Sequence, residues 1–91
     1  MNFEIVYHDL VISEDIPRLS SAWKDKIRKT IEARLLIQPD LYGKPLRKSL
    51  KGYRKLRIED YRVIFRIEDK TVKIFIIAHR SVVYTKINKR T

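Results

Sequence analysis

Residues 53–79 alternate apolar and polar side chains with a period of two, and this pattern constrains the fold more than any other feature. It predicts three strands, at residues 53–58, 61–67 and 72–78, because adjacent side chains on a strand point to opposite faces. Short polar turns, Glu59-Asp60 and Glu68-Asp69-Lys70, separate the strands. Such brief connections permit only antiparallel hairpins, since parallel neighbours need a long crossover. The second half of the chain is therefore predicted to be an antiparallel sheet.

Helical signals dominate the first half. The elements predicted there are a strand at residues 2–7, a short helix at 9–16 and a longer helix from 20 or 21 to about 37. Pro17 is expected to stop the short helix because proline lacks the N–H that a helix uses. Ser20 or Ser21 is a suitable N-cap for the longer helix. Apolar residues at every fourth position of that helix predict one buried stripe: Trp23, Ile27, Ile31 and Leu35.

Charge is divided unevenly along the chain. The formal net charge is +10, with 21 Lys and Arg against 11 Asp and Glu. Residues 1–43 contribute six basic and seven acidic side chains, whereas residues 44–91 contribute fifteen basic and four acidic ones. Concentrated like charge destabilises a compact chain, so a polyanion is the expected partner of the second half. A basic surface that serves only solubility is the alternative.

The strand pattern also predicts two different faces for the sheet. The apolar face, which suits packing against helices, comprises Leu56, Ile58, Tyr61, Val63, Phe65, Ile67, Val72, Ile74, Ile76 and Ala78. The basic face comprises Lys55, Arg57, Arg62, Ile64, Arg66, Lys73, Phe75, Ile77 and His79. Cations for phosphates, with apolar and aromatic groups for bases, are typical of a surface that binds single-stranded nucleic acid.

Several chemistries are excluded by what the sequence lacks. There is no cysteine, which excludes disulfides and thiolate metal sites. His8 and His79 lie far apart and do not have metal-ligand spacing, so no metal or other cofactor is expected. No apolar run approaches the ~20 residues that span a bilayer, and residues 1–9 do not resemble a signal peptide. A single cytoplasmic domain over residues 1–91, without a membrane partner, is the expectation.

Two segments carry a specific resemblance to a known family. They are GYRKLRIEDYRVIFRI at residues 52–67 and AHRSVVY at residues 78–84. At this separation they resemble the "GYRRLRVGDYRVIYRI" and "HRxxVY" segments of the RelE/ParE superfamily of bacterial and archaeal toxins, particularly its RelE-like branch. The similarity covers nearly the whole chain, including GKPLRKSLKGY at residues 43–53. It implies an α+β fold with an N-terminal strand and a helical hairpin packed on a twisted antiparallel sheet.

The resemblance also implies a function. Members of the RelE-like mRNA interferase branch are ribosome-dependent endoribonucleases that cut mRNA in the ribosomal A site, and an antitoxin encoded beside each one neutralises it. The chain is thus expected to be the toxin of a type II toxin–antitoxin system, with mRNA, ribosomal RNA and a RelB-like antitoxin as partners. Metal-independent cleavage through the 2′-hydroxyl needs a proton acceptor, stabilisation of negative charge, and a proton for the leaving 5′-oxygen.

Four residues match the family's catalytic positions: Lys55, Arg62, Arg80 and Tyr84. Arginine forks suit a phosphate or its transition state. Tyr84 can exchange a proton or stack on a base, and Lys55 can act as a base if neighbouring cations favour its neutral form. The residues expected to contact RNA or the ribosome are Lys44, Arg47, Lys48, Lys51, Arg54, Arg57, Arg66, Lys73 and His79.

The sequence departs from the family pattern at two points. A second catalytic lysine of the family aligns near Tyr53 and Arg54, so Arg54 takes that role or it is absent. Glu59 stands where glycine is common in the turn, and is expected to be a solvated turn residue rather than a base. His79 can act as an acid or base, contact a nucleobase, or be structural.

Two other functions remain open. One is a ParE-like inhibitor of DNA gyrase with the same fold, although Arg62, Arg80 and Tyr84 together argue against it. The other is a non-catalytic RNA-binding module, which the charge alone permits.

Overall fold

The computed structural model describes residues 2–90, apart from the side chain of Ser49. The helices and strands, in chain order, are β1 (Glu4–Tyr7), a π-helical turn (Val11–Asp15), a 3-10 turn (Ile16–Arg18), α1 (Ser21–Leu35), a 3-10 turn (Pro39–Leu41), β2 (Lys44–Pro45), a 3-10 turn (Lys48–Leu50), β3 (Tyr53–Ile58), β4 (Tyr61–Glu68), β5 (Thr71–His79) and α2 (Val83–Arg90). The strands predicted from alternation are all present, each with bounds within one residue of the prediction except at the start of β1.

The five strands form one sheet in the order β1-β5-β4-β3-β2. Strands β3 to β5 pair antiparallel, as predicted; the short β2, which was not predicted, pairs antiparallel to β3, and β1 pairs parallel to β5. The parallel pair is possible because a long stretch of chain, including α1, separates β1 from β5. The hairpin turns place Glu59 at φ 53° and Asp69 at φ 54°, in the left-handed region that favours glycine. This geometry explains why glycine suits the position of Glu59.

A β-bulge interrupts the predicted alternation of β5. Phe65 pairs with Ile74, but its neighbour Ile64 pairs with Ile76, so Phe75 faces no residue of β4. An extra residue of this kind reverses the faces of all the residues that follow it on the strand. The predicted faces were therefore wrong for four residues: Ile76, Ile77, Ala78 and His79.

The helical hairpin covers one face of the sheet. Ser20 is the N-cap of α1, because its Oγ accepts the N–H of Trp23 at 3.3 Å. The helix ends at Leu35, with Leu36 as its C-cap, two residues before the predicted end. The buried core of this face comprises Val11, Leu19, Ile27, Ile31, Leu35, Leu56, Ile58, Val63, Phe65, Val72, Ile74 and Ile77, with Trp23 packed against it. Pro17 lies within the 3-10 turn and does not stop the helical segment, which contradicts the prediction.

Helix α2, which the sequence pattern did not predict, covers part of the opposite face. Val83 and Ile87 pack against Ile64, Ile76 and Ala78 in a second core. The helix has 8 residues, and only those two are buried. Two apolar residues four apart are too few to distinguish a helix from an irregular segment. Helix α2 therefore covers part of the sheet face that the strand pattern predicted to be exposed.

Candidate functional site

An open depression of about 440 Å³ lies where β3 and β4 meet the end of β5 and the start of α2. We call it the basic depression, and its lining residues are Lys55, Arg62, His79, Arg80, Ser81, Val83 and Tyr84. All four residues that the family resemblance marks as catalytic are among them. They come from three separate elements and from the segment that follows β5, so only the folded chain brings them together.

Lys55 and Tyr84 form a direct pair across the basic depression. The Lys55 ammonium donates a hydrogen bond to the Tyr84 hydroxyl oxygen at 2.9 Å. The same ammonium lies 5.4 Å from the centroid of the Tyr84 ring. Because the phenol oxygen is the acceptor here, its own O–H is left to donate to a ligand. The pair offers both a proton donor and, after loss of a proton, an acceptor.

The β3–β4 turn positions both arginines. Arg62 Nη1 donates to the carbonyl oxygens of Glu59 and Tyr61, at 2.7 and 2.9 Å. The backbone N–H of Arg80 donates to the carbonyl of Asp60 at 2.8 Å, and Arg80 Nε lies 3.4 Å from Asp60 Oδ1. A guanidinium has five N–H groups, so each fork keeps donors for a phosphate. Sequence reasoning missed this role of Asp60, because nothing in a short polar turn signals that it will meet Arg80.

His79 is the last residue of β5 and is also fixed in place. Its Nδ1 accepts the backbone N–H of Ser81 at 3.2 Å and lies 2.8 Å from Ser81 Oγ. The ring meets Tyr61 edge-on, with 5.6 Å between centroids and an interplanar angle of 83°. Tyr61 in turn packs against Trp23 of α1, with centroids 4.6 Å apart and the rings tilted by 47°. The imidazole is therefore held from two sides.

A second depression adjoins the first and shares Lys55 and Arg62 with it. Lys44 and Arg57, two of the predicted RNA-binding residues, line this neighbour. Arg54 does not line the basic depression, and its Nη1 donates to the carbonyl of Gly43 at 3.1 Å. It is therefore not placed to take over the role of the family's second lysine.

The other predicted RNA-binding residues lie elsewhere. Arg66 and Lys73 pair with the Glu68 carboxylate, at 3.2 and 3.1 Å. Arg66 is four residues from Arg62 along β4, which corresponds to roughly 13 Å at the rise of a strand. The cations on the exposed loop between β2 and β3 do not line the basic depression: Arg47, Lys48 and Lys51.

Two of the three residues predicted to contact bases are buried, whereas Phe75 is partly exposed. Ile64 is 1% exposed beneath α2, and Ile77 is 3% exposed on the opposite face. Phe75 packs against Tyr53 and His8, with centroid distances of 5.1 and 5.5 Å. For Ile64 and Ile77 the prediction was wrong because it assumed an uninterrupted alternation and an uncovered face.

Asp15 is a buried carboxylate that sequence reasoning overlooked. It is 2% exposed and accepts hydrogen bonds from the Ile77 N–H, from Lys86 Nζ and from both terminal nitrogens of Arg90. Burial acts to raise the pKa of Asp15, but the bonds and charges of Arg90, Lys86 and Ile77 outweigh it and lower the pKa. The carboxylate ties the N-terminal helical segment and β5 to α2, the helix that carries Tyr84.

Within residues 2–90, no helix is both long and apolar enough to cross a membrane. The same residues contain no group of three or more His, Cys, Asp or Glu side chains that could hold a metal ion.

The fold is that of a small toxin of the RelE/ParE superfamily. The chain belongs to the family described as the ParE toxin of type II toxin–antitoxin systems, parDE, whose model matches residues 5–84. A curated relative, Toxin RelE from Mycobacterium tuberculosis, is 46% identical over 52 residues. That match spans 55% of this chain and 54% of the relative, about half of each.

Solved structures agree with this assignment. The toxin–antitoxin complex RelBE2 from Mycobacterium tuberculosis matches with a TM-score of 0.81 and 27% identity, over 88% of this chain and 100% of the matched chain. A mutant of the Escherichia coli toxin RelE in the free state matches with a TM-score of 0.76 and 19% identity, over 99% and 98% of the two chains. The second match shows the shared fold alone. The resemblance to RelE-like toxins drawn from the sequence is thereby confirmed.

Proposed function

We propose that this chain is the toxin of a type II toxin–antitoxin system and that it cleaves mRNA on the ribosome, without a metal ion. The observation that carries the proposal is the convergence of Lys55, Arg62, Arg80 and Tyr84 around one depression. Two arginine forks and a lysine–tyrosine pair match what attack of a 2′-hydroxyl on phosphorus requires.

The reaction is a transesterification. The 2′-oxygen forms a bond to phosphorus, and the bond from phosphorus to the 5′-oxygen breaks, which leaves a cyclic phosphate and a free 5′-hydroxyl. Lys55 and Tyr84 handle the two protons, since they are hydrogen-bonded to each other beside the cations. Arg62 and Arg80 stabilise the negative charge that develops on the phosphoryl oxygens.

The exposure of the basic depression supports dependence on the ribosome. The Arg80 side chain is 64% exposed and Tyr84 is 49% exposed, so the toxin alone does not enclose a nucleotide. Positioning of the reacting atoms contributes a large share of the rate enhancement of an enzyme. Because the toxin alone does not enclose the RNA, the surface of another molecule must help to position it. Ribosomal RNA and the mRNA held in the A site would supply that surface.

A purified translation system tests the proposal. Adding this protein should produce discrete cuts in a reporter mRNA, mapped by primer extension, and the Arg80→Ala variant should produce none. The same mRNA without ribosomes should be cut far more slowly. Intact message at saturating protein would refute the proposal.

Inhibition of DNA gyrase is the second candidate, because the matching family is described as ParE toxins. It predicts loss of supercoiling activity when purified gyrase is incubated with the protein, and no cleavage of mRNA. The two assays, run on one preparation with the Arg80→Ala variant beside it, separate the candidates.

We also propose an antitoxin partner. The relatives from Mycobacterium tuberculosis and Methanococcus jannaschii were solved as toxin–antitoxin complexes, the latter with RelB. An acidic helical segment would complement the basic second half of the chain. Co-expression with the neighbouring gene and co-purification should yield a stoichiometric complex. Elution of the toxin alone at low salt would contradict this partner.

A further inference from the structure

We propose that His79 is a fixed, neutral hydrogen-bond donor to the RNA at the cut, and not an acid or base of the reaction. The inference rests on the proposed function and assigns a role to a residue that lines the same depression as Arg62, Arg80 and Tyr84. It depends on which of the two imidazole nitrogens carries the proton.

The backbone of Ser81 settles that question. An amide N–H can only donate, and the Ser81 N–H points to His79 Nδ1 at 3.2 Å. Nδ1 must therefore be the unprotonated, accepting nitrogen, and the Ser81 hydroxyl, 2.8 Å away, can donate to it as well. The proton of the ring is left on Nε2. If Nδ1 also carried a proton, its N–H would face the backbone N–H of Ser81, and the two donors would repel each other.

Nε2 is available for a ligand. Within residues 2–90, no hydrogen bond to Nε2 of His79 is found, whereas Nδ1 has two partners on Ser81. The edge-on contact with Tyr61, which itself packs against Trp23, limits rotation of the ring. A donor held in advance loses little entropy when an acceptor arrives.

The complementary group is a hydrogen-bond acceptor of the RNA, either a phosphoryl oxygen or the edge of a nucleobase. Beside two permanently charged arginines, a neutral N–H adds a directed hydrogen bond without further positive charge. A glutamine side chain can present an N–H at a position close to that of Nε2, although it cannot exchange protons as an imidazole does. This difference separates a donor from an acid or base.

Cleavage of ribosome-bound mRNA by the His79→Gln and His79→Ala variants tests the role. A donor predicts that His79→Gln cuts within about threefold of the wild type and that His79→Ala loses about tenfold, the usual scale of one hydrogen bond. If His79→Ala loses cleavage rate equally at all A-site codons, the acceptor of the hydrogen bond is a phosphoryl oxygen. If the loss of rate depends on the codon, the acceptor is the edge of a nucleobase. A His79→Gln variant as impaired as His79→Ala, or an unimpaired His79→Ala variant, overturns the proposal.

Nitrogen-15 NMR of the free protein tests the tautomer without any activity. Two-bond correlations should place the His79 proton on Nε2. His8 is an internal reference, because its Nδ1 accepts the Leu10 N–H at 3.0 Å and predicts the same tautomer. A proton on Nδ1 of His79 would overturn the proposal even if mRNA cleavage were observed. Failure of the wild type to cut mRNA would instead refute the proposed function, and the NMR result would then decide the tautomer alone.

Discussion

The two arginines of the basic depression are held in different ways. Arg62 is anchored through its own guanidinium, which donates to two backbone carbonyls. Arg80 is anchored through its backbone N–H and a longer ion pair with Asp60. A lysine in place of Arg62 would supply charge, but it has no planar fork that can satisfy two carbonyls and a phosphate together. Shape as well as charge is therefore expected to matter at this position.

We expect both Arg62→Lys and Arg62→Ala to slow mRNA cleavage by about 10²–10³-fold, the scale of losing one preorganised donor to a developing charge. Both should lower the free energy of unfolding by only about 1–2 kcal/mol, the scale of the two hydrogen bonds that the guanidinium donates to backbone carbonyls. Primer-extension rates and urea unfolding measure the two effects. Arg57→Ala is the matched control, because Arg57 pairs with Arg62 across β3 and β4 but lies outside the basic depression. Comparable loss in Arg57→Ala would point to general electrostatics instead.

At the scale of elements, Asp15 in the N-terminal part of the chain holds α2 against the sheet. Its two buried apolar residues offer little area, and the Asp15 carboxylate adds hydrogen bonds to Lys86 and Arg90. The Arg90 side chain is 6% exposed and also donates to the carbonyl of Phe75 at 3.0 Å. Removing one partner of a buried ion pair leaves the other charge stranded.

Asp15→Asn is therefore expected to destabilise the protein by about 3–5 kcal/mol. Hydrogen exchange should show the largest loss of protection in α2, with the central strands affected least. Adding Arg90→Met should restore part of the stability, because it removes the stranded charge. Asp25→Asn, which breaks only exposed pairs with Arg28 and Lys29, should leave stability nearly unchanged. A mild Asp15→Asn phenotype would show that α2 is held by its apolar contacts.

The lowered pKa of Asp15 has a consequence for stability in acid. A carboxyl with a depressed pKa in the folded state contributes stability above its ordinary pKa of 3.8, and the contribution is lost as pH falls through the folded-state value. The free energy of unfolding of the wild type should thus fall more steeply below about pH 4 than that of Asp15→Asn. Urea titrations at a series of pH values would show the two curves converging in acid. Parallel curves would mean that Asp15 titrates normally.

At the scale of the whole molecule, the fold separates charge. The nearly neutral first half forms the helical layer and β1, while the basic second half forms the rest of the sheet and α2. The excess positive charge is therefore concentrated on β2 to β5 and α2, and a polyanion is expected to approach this part of the protein preferentially.

Binding of a short single-stranded RNA should weaken steeply with salt. In a plot of the logarithm of the binding constant against the logarithm of the salt concentration, each phosphate contact contributes about 0.7 to the slope. Lys44→Ala should therefore reduce the magnitude of the slope by about that amount. Lys29→Ala should leave the slope unchanged, because Lys29 lies on α1 and is paired with Asp25. Fluorescence anisotropy between about 50 and 200 mM salt spans the informative range. Equal slopes for the wild type and Lys44→Ala would exclude this edge of the sheet from the RNA path.

Much of the candidate site was predictable because its residues belong to two short family motifs, at residues 52–67 and 78–84. Lys55, Arg62, Arg80 and Tyr84 were identified by motif, and the structure places them around one depression. Asp60 and Asp15 were not identified, since their partners lie 20 and more than 60 residues away. Contacts at such separations leave no local periodicity in a sequence.

The sequence by itself determined the three hairpin strands, the position and cap of α1, and the basic character of the second half, because each depends on neighbours within a few residues. The tertiary structure decided the parallel pairing of β1, the bulge at Phe75, the covering of the basic face by α2, and the burial of Asp15. These features depend on which parts of the chain, distant in sequence, pack against each other in the folded protein. A one-residue bulge or an 8-residue helix changes those surfaces without changing the local pattern that precedes it.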